Sequence, residues 1–300
     1  MIITLVTGAG GFLGTRLVRQ LLAGGHEVRG VDRVALPPSF SGLSGLAWIR
    51  RDLSRERLAA VELKDVDTIF HLAGATLGAG DDECLFCEAN EATTVGLLKE
   101  CAGKVQKFVH VSSQAVYGNI NHLAITEDFP LAGFDSAYAC SKVNAENWIR
   151  WFQRNRGGRY VVLRFCGFIE GGGIIDYLID QALQEKPIEL FSNGQVCRDY
   201  LSVTKGLEAI VAASQYKEEE GLTAFNIGCG QAVSTRVMAE MVCRETGSTS
   251  AVVLVDKAAA RANFVFDIAK ARKKLGFEPG SLVEAIRFYV REKIKRSRYG

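Results

Sequence analysis

Apolar positions along this chain recur in two rhythms, and the two alternate. A short run, Ile2-Ile3-Thr4-Leu5-Val6, has the length and continuity of a strand buried on both faces. Leu17, Val18, Leu21 and Leu22 then recur at helical spacing through 15–22. Further strands are predicted at 27–31, 46–49, 68–72, 107–111 and 160–165, and helices at 90–102 and 136–155. The long helix is expected to be capped by Asp135 or Ser136. Between them, 118–135 is rich in turn formers without a period and reads as a loop over the active site. Strands alternating with helices argue for a mostly parallel sheet covered on both faces. After Phe165 the rhythm shortens. Gly171-Gly172-Gly173 forms a break, followed by helices near 174–184, 234–245 and 268–275 and strands near 188–191 and 224–227.

The first strand and helix are joined by Thr7-Gly8-Ala9-Gly10-Gly11-Phe12-Leu13-Gly14. Gly8 permits a tight turn, Gly11 lets the backbone approach an anion, and Gly14 lets the helix pack close on the strand. The helix N-terminus offers free N–H groups and a positive dipole end. Phe12 and Leu13 lie in the same turn. The spacing is GxxGxxG rather than GxGxxG, but Asp32 stands at the end of the second strand. There a carboxylate accepts hydrogen bonds from the adenosine ribose hydroxyls and repels a 2′-phosphate, favouring NAD over NADP. Arg33 follows and could hold that phosphate instead. The fold class expected is therefore α/β: a Rossmann-type doubly wound parallel sheet with a smaller C-terminal α/β substrate lobe. The dinucleotide-binding domain is placed at 1–165, with 198–214 returning to it, and the substrate lobe at 166–300.

Composition narrows the function classes. Thirty-six basic residues against 34 acidic ones give a net charge of +2, which offers nucleic acid or a membrane surface no field. The basic run at 293–298 reads as a solvated helix end. No apolar stretch reaches the length of a membrane span, and the apolar N-terminus lacks the basic flank and cleavage site of a leader. A cytoplasmic location is expected. The eight cysteines are scattered, as for reduced thiols. Cys84 and Cys87 form one CxxC without a second pair, so no metal site is expected.

Tyr138-Ala139-Cys140-Ser141-Lys142 places a phenol and an ammonium one helical turn apart on one face. A nearby ammonium, together with a positive nicotinamide ring, would lower the phenol's pKa. Tyr138 could then take a proton from a substrate hydroxyl. Ser113, ending the fifth strand, could hydrogen-bond the same oxygen.

With these residues in place, the chain resembles the NAD-dependent epimerase/dehydratase family of extended short-chain dehydrogenases/reductases. The resemblance runs from Thr7–Gly14 through Asp32, Asp52-Leu53, His71–Gly74, Asn90, Ser112–Gly118, Tyr138–Lys142 and Arg198–Leu201 to Asn226-Ile227-Gly228. It implies Asp52 and Leu53 at the adenine, and Leu72, Ala73, Gly74 and Asn90 along the cofactor. It also implies Lys142 on the nicotinamide ribose, and Ser113 and Tyr138 at the reacting hydroxyl. The substrate implied is a small molecule, a nucleotide-diphosphate sugar, and the assembly a homodimer through the helices around Asn90 and Tyr138. Three departures bear on the reaction. Gly167 stands where the family usually has a substrate-binding Asn, opening space there. Ser202 and Lys205 replace the usual His and Asp. Gln114 and Ala115 replace the acid and base that family dehydratases carry, so elimination of water is not expected. Arg198 matches an arginine that grips the substrate's phosphates, with Lys257 or Arg261 as a second contact. The expected function is an NAD-dependent epimerase; a keto-reductase and a non-catalytic NAD(P)-binding sensor or scaffold are the alternatives.

Overall fold

The computed structural model describes residues 2–80, 82–217, 221–259 and 262–299, with side chains of the last helix described to residue 295. The chain opens with β1 (Ile3–Thr7), α1 (Gly14–Ala23), β2 (Glu27–Asp32), β3 (Leu46–Arg50), α2 (Ala60–Leu63) and β4 (Thr68–His71). There follow α3 (Glu83–Phe86), α4 (Thr93–Cys101), β5 (Lys107–Ser113), β6 (His122–Ile125), α5 (Ala137–Arg156) and β7 (Arg159–Phe165). Next come β8 (Gly167–Phe168), α6 (Ile174–Leu183), β9 (Ile188–Phe191), β10 (Cys197–Arg198), β11 (Tyr200–Leu201) and α7 (Val203–Gln215). The remainder is β12 (Gly221–Ile227), β13 (Val233–Ser234), α8 (Thr235–Thr246), β14 (Val252–Val255), β15 (Phe264–Phe266), α9 (Ala269–Leu275) and α10 (Leu282–Tyr299).

Two compact units emerge. The first comprises Met1–Gly118, Pro130–Phe165 and Leu207–Phe225; the second comprises Asn119–Phe129, Cys166–Gly206 and Asn226–Gly300. The first is built on a seven-stranded sheet in the order β12-β7-β5-β4-β1-β2-β3. Every pairing from β7 to β3 is parallel. The strand order reverses between β1 and β4, and in such sheets ligands bind outside the carboxyl ends of the strands at that switch point. Beneath α4 and α5, Leu5, Val31, Ile69, Phe108 and Val162 from five strands meet Leu97, Leu98, Ile149 and Phe152 in one buried cluster. Strands buried on both faces explain why these segments read as continuous apolar runs.

In the second unit α6, α8 and α10 share a core of Ile175, Leu178, Met238, Val242, Leu282 and Ile286, against which Ile188 and Leu190 of β9 are buried. Its four-stranded sheet runs β13-β10-β15-β6, and β9 pairs in parallel with β14.

Local expectations fail at three places. The stretch 118–135 is not all loop: β6 pairs in parallel with β15, a partner far along the chain that no local period reveals. The helix read at 90–102 is two pieces, a π-helical segment Cys87–Ala92 running into α4. The helix α7 was not anticipated, and of α10 only its basic end at 293–298 was read as helical.

Candidate active site

The turn after β1 is closed by backbone. Gly8 has φ +68°, and a Cβ there would lie 2.8 Å from the Ala73 nitrogen, beyond the end of β4. At Gly14 a Cβ would stand 2.0 Å from the Gly8 carbonyl oxygen, so only glycine lets α1 start this close to β1. No side chain caps the helix at Leu13, and although the Thr15 N–H is taken by the Gly11 carbonyl at 3.0 Å, the positive end of α1 faces the turn where an anion would bind. Asp32 accepts the Gly10 N–H on Oδ2 at 2.8 Å and the Val34 N–H on Oδ1 at 3.2 Å. The carboxylate thus pins the glycine turn and keeps lone pairs for further donors. A turn that side chains would fill, a free helix end and a carboxylate beside it fit a dinucleotide. Arg33 is exposed. Phe12 lies under the Arg16 guanidinium, 4.3 Å from its ring centroid. Asp52 accepts from both the Ser54 hydroxyl and N–H, and the hydroxyl bond is the chief cause holding its pKa below the usual value. Leu53 is buried.

Beyond β4 a chain of polar side chains runs through the core. Thr7 Oγ1 lies 2.8 Å from His71 Nδ1 and accepts the Ala73 N–H, and His71 Nε2 lies 2.9 Å from Thr94 Oγ1. Burial pushes the His71 pKa down to about 3, so the ring is neutral and fixes its neighbours without a charge. Asn90, in the π-helical segment, accepts the Ala75 N–H at 2.8 Å and donates to Ser141 Oγ at 2.8 Å. Its Oδ1 would stand 2.5 Å from a Cβ on Gly74. The amide therefore sets the path of Gly74 and Ala75 and ties it to the helix that carries Lys142.

Ser136 caps α5 by accepting the Ala139 N–H. In the first turn of the helix, the Tyr138 phenol comes to the Ser113 hydroxyl at the end of β5, which accepts the Ala115 N–H at 3.2 Å, and its ring meets Phe86 edge-on at 5.7 Å. Burial raises the phenol's pKa and the Ser113 hydrogen bond opposes it. The lowering expected from Lys142 is not found: that ammonium donates to the Val111 carbonyl at 3.2 Å. Burial lowers the Lys142 pKa to about 8, with Glu146 acting against the fall. Gln114 Oε1 is buried and has no hydrogen-bond partner.

No local pattern points to the residues behind this group. Glu146 Oε1 accepts from the Ser112 hydroxyl at 2.6 Å, while Arg164 grips both carboxylate oxygens and donates to the Tyr117 hydroxyl at 2.7 Å. All four side chains are buried. Alternation along β5 and β7 reads such positions as apolar core, and nothing local pairs a glutamate at 146 with an arginine at 164.

In the second unit, Gly167 pairs with Tyr200 between β8 and β11. The space expected beside Gly167 is taken: a Cβ there would lie 3.1 Å from the Tyr200 ring. Arg198 donates to the Ala262 carbonyl at 2.9 Å and stacks over Phe264 at 5.0 Å. Its neighbour Asp199 accepts the Cys229, Gly230 and Phe266 N–H groups, and burial pushes its pKa up to about 6. Lys257 is exposed with its ammonium 5.7 Å from the Phe191 ring centroid. Arg261 lies outside the described residues.

Residues 4–228 match the model of the NAD dependent epimerase/dehydratase family. The chain is 30% identical over 297 residues to an uncharacterised UDP-glucose epimerase, YtcB, of Bacillus subtilis, with 92% of this chain and 93% of that one covered. It is 29% identical to the UDP-glucose 4-epimerase of Mycolicibacterium smegmatis, with coverage of 92% and 93%. Among solved structures, the UDP-glucuronic acid 4-epimerase of Bacillus cereus in complex with NAD superposes with a TM-score of 0.83. Its identity is 26%, covering 97% of this chain and 99% of that one. With the glycine turn, Asp32 and the Ser113–Tyr138–Lys142 group in place, the chain belongs to the NAD dependent epimerase/dehydratase family of enzymes.

Proposed function

We propose that this enzyme inverts one carbon of a nucleotide-diphosphate sugar, with NAD as its cofactor and Tyr138 as its base. The Tyr138 phenol brought to the Ser113 hydroxyl at the end of β5 carries the reading. A substrate hydroxyl placed at this pair meets a phenol oxygen that can take its proton and a serine hydroxyl that can steady its oxygen. Bound NAD supplies the hydride acceptor and a positive ring that draws the phenol toward its anion. Lys142 holds the ribose and adds charge. Gly8, Gly11, Gly14 and the N-terminus of α1 take the pyrophosphate, Asp32 the adenosine ribose, and Leu72–Gly74 the edge of the cofactor. Arg198 and Lys257 are the described cations assigned to the substrate's diphosphate.

The unpartnered Gln114 oxygen suits a donor on the substrate, since a buried acceptor left unmade costs about 1–3 kcal/mol. Neither Gln114 nor Ala115 exchanges a proton near neutral pH, which speaks against loss of water. Trp148 and Trp151, 41% and 46% exposed on α5, support a homodimer formed through that helix.

The test is to incubate the purified protein with NAD and each of UDP-glucose, UDP-glucuronic acid and UDP-N-acetylglucosamine, following the sugar by proton NMR. Inversion at one carbon without accumulation of NADH is expected. A 4-keto-6-deoxy product would make the enzyme a dehydratase. Turnover only of a keto-sugar with NADH would make it a reductase.

A further inference from the structure

We infer that Glu146 is a positioning residue for the proposed reaction: its carboxylate ties the strand bearing Ser113 to the helix bearing Tyr138 and Lys142. The inference rests on Tyr138 being the base.

The geometry is that of a clamp with three arms, all within the first unit. On one side Glu146 Oε1 accepts from Ser112 Oγ at 2.6 Å, and Ser112 is the residue before Ser113 on β5. On its own helix Glu146 stands one turn beyond Lys142, as Lys142 stands one turn beyond Tyr138, so the three share a face of α5. From β7, Arg164 donates Nε and Nη2 to the carboxylate at 2.8–3.2 Å. The remaining Arg164 nitrogen holds the Tyr117 hydroxyl, two residues beyond Ala115. Glu146 is 2% exposed and Arg164 3% exposed. Strand β5, helix α5 and strand β7 are therefore locked in register at the carboxyl end of the sheet, where Ser113 must meet Tyr138.

A structural ion pair alone would need no particular neighbour. Here the carboxylate stands one helical turn from a buried lysine. Groups facing Lys142 from the packed elements are His71 on β4, His110 on β5, Glu146 on its own helix and, behind it, Arg164 on β7. The two histidines are held neutral, His71 near 3 and His110 well below its ordinary value, in both cases first by burial. They add no negative charge. Arg164 offsets part of the Glu146 charge. Glu146 is the anion that sustains the Lys142 ammonium at neutral pH.

The experiment compares Glu146→Gln, the double variant Glu146→Met/Arg164→Met, Ser112→Ala and Tyr138→Phe. Glu146→Gln keeps the hydrogen-bonding shape but leaves the buried Arg164 charge unpaired, so it can fail to fold; the double variant removes both charges and guards against that. For both, turnover at neutral pH should fall by roughly tenfold or more, and the alkaline limb of kcat should move down, by about one pH unit in Glu146→Gln and by less in the double variant, which also loses the opposing Arg164 charge. A second readout needs no turnover. In the cofactor-free protein, stability rises with pH where the folded chain holds fewer protons than the unfolded one. That rise should begin at a lower pH in both variants than in the wild type. Ser112→Ala should lower kcat while leaving the alkaline limb in place, because the charge remains. If the pH profile and the stability profile of both Glu146 variants match the wild type, Glu146 is structural only and the inference falls. If Tyr138→Phe is fully active, it is the assignment of the base that falls.

Discussion

Replacing Lys142 by methionine should make the cofactor-free protein more stable while removing its activity. Lys142 is buried, and its pKa is lowered from 10.5 to about 8 because burial disfavours the ammonium. At neutral pH the chain folds with that cation inside, at a cost of roughly 3 kcal/mol at about 1.4 kcal/mol per pKa unit. Methionine matches the length of the apolar stem and fills irregular space without a charge. It loses the ammonium's hydrogen bond to the Val111 carbonyl, about 2 kcal/mol. The balance is a gain of about 1 kcal/mol at pH 7, or a few degrees in Tm at roughly 2–4 °C per kcal/mol.

The pH dependence gives the sign. A base whose folded pKa is depressed binds fewer protons folded than unfolded between about 8 and 10.5. Wild-type stability therefore rises through that window, and the advantage of methionine should shrink as it does. Urea unfolding of both proteins without NAD, at pH 7 and again near pH 10, is the assay. NAD affinity and turnover should both fall in the variant, since the ribose contact and the charge are lost together. A methionine variant less stable than wild type at pH 7, or a difference of the same size at both pH values, would refute the reasoning.

Three further outcomes are expected. Because the Asp32 carboxylate pins Gly10 and is the group assigned to the ribose, NAD should bind at least roughly tenfold more tightly than NADP by calorimetry, about 1.4 kcal/mol; equal affinities would transfer the choice to Arg33. Gly167→Asn must displace a Tyr200 ring 3.1 Å from the new Cβ and should destabilise by about 1–3 kcal/mol, a loss that Tyr200→Leu in the same chain relieves. Thermal melts of the single and double variants decide it, and no loss in the single variant would mean that the ring yields freely. Arg198→Ala should raise the KM of the best nucleotide sugar by about tenfold or more with kcat little changed, the loss of a bidentate phosphate contact; an unchanged KM in the folded variant removes Arg198 from the substrate site.

The first unit was legible because its strands carry their signal in continuous apolar runs. Segments such as Leu5-Val6 and Phe108-Val109 are buried on both faces, so no period was needed to find them. The cap of α5 could be narrowed to Asp135 or Ser136 from chemistry alone, and Ser136 is the one that caps. The second unit was harder to read, since β8, β10, β11 and β13 are two residues each and are fixed by partners rather than by pattern. Gly167 shows the limit of reading a missing side chain as open space. Whether the room is free depends on what lies across the ladder, and Tyr200 lies there.

Within the site, what could be read were groups whose chemistry is announced by neighbours in sequence: a turn of three glycines, an acid after a strand, a tyrosine and a lysine one helical turn apart. The residues that hold those groups in place announce themselves only in three dimensions. Thr7, His71 and Thr94 come from β1, β4 and α4; Ser112, Glu146 and Arg164 come from β5, α5 and β7. Each occupies a core position where the strand or helix period calls for an apolar residue. A polar group at such a position costs stability unless it is fully bonded. The chain nevertheless buries a lysine one turn from a glutamate, and that glutamate against an arginine, all behind one tyrosine. A core selected only to fold would gain by replacing the lysine with an apolar side chain. In the proposed reaction that charge serves the ribose and, with NAD bound, the phenol, and the inferred part of the glutamate is to oppose the loss of that charge on burial.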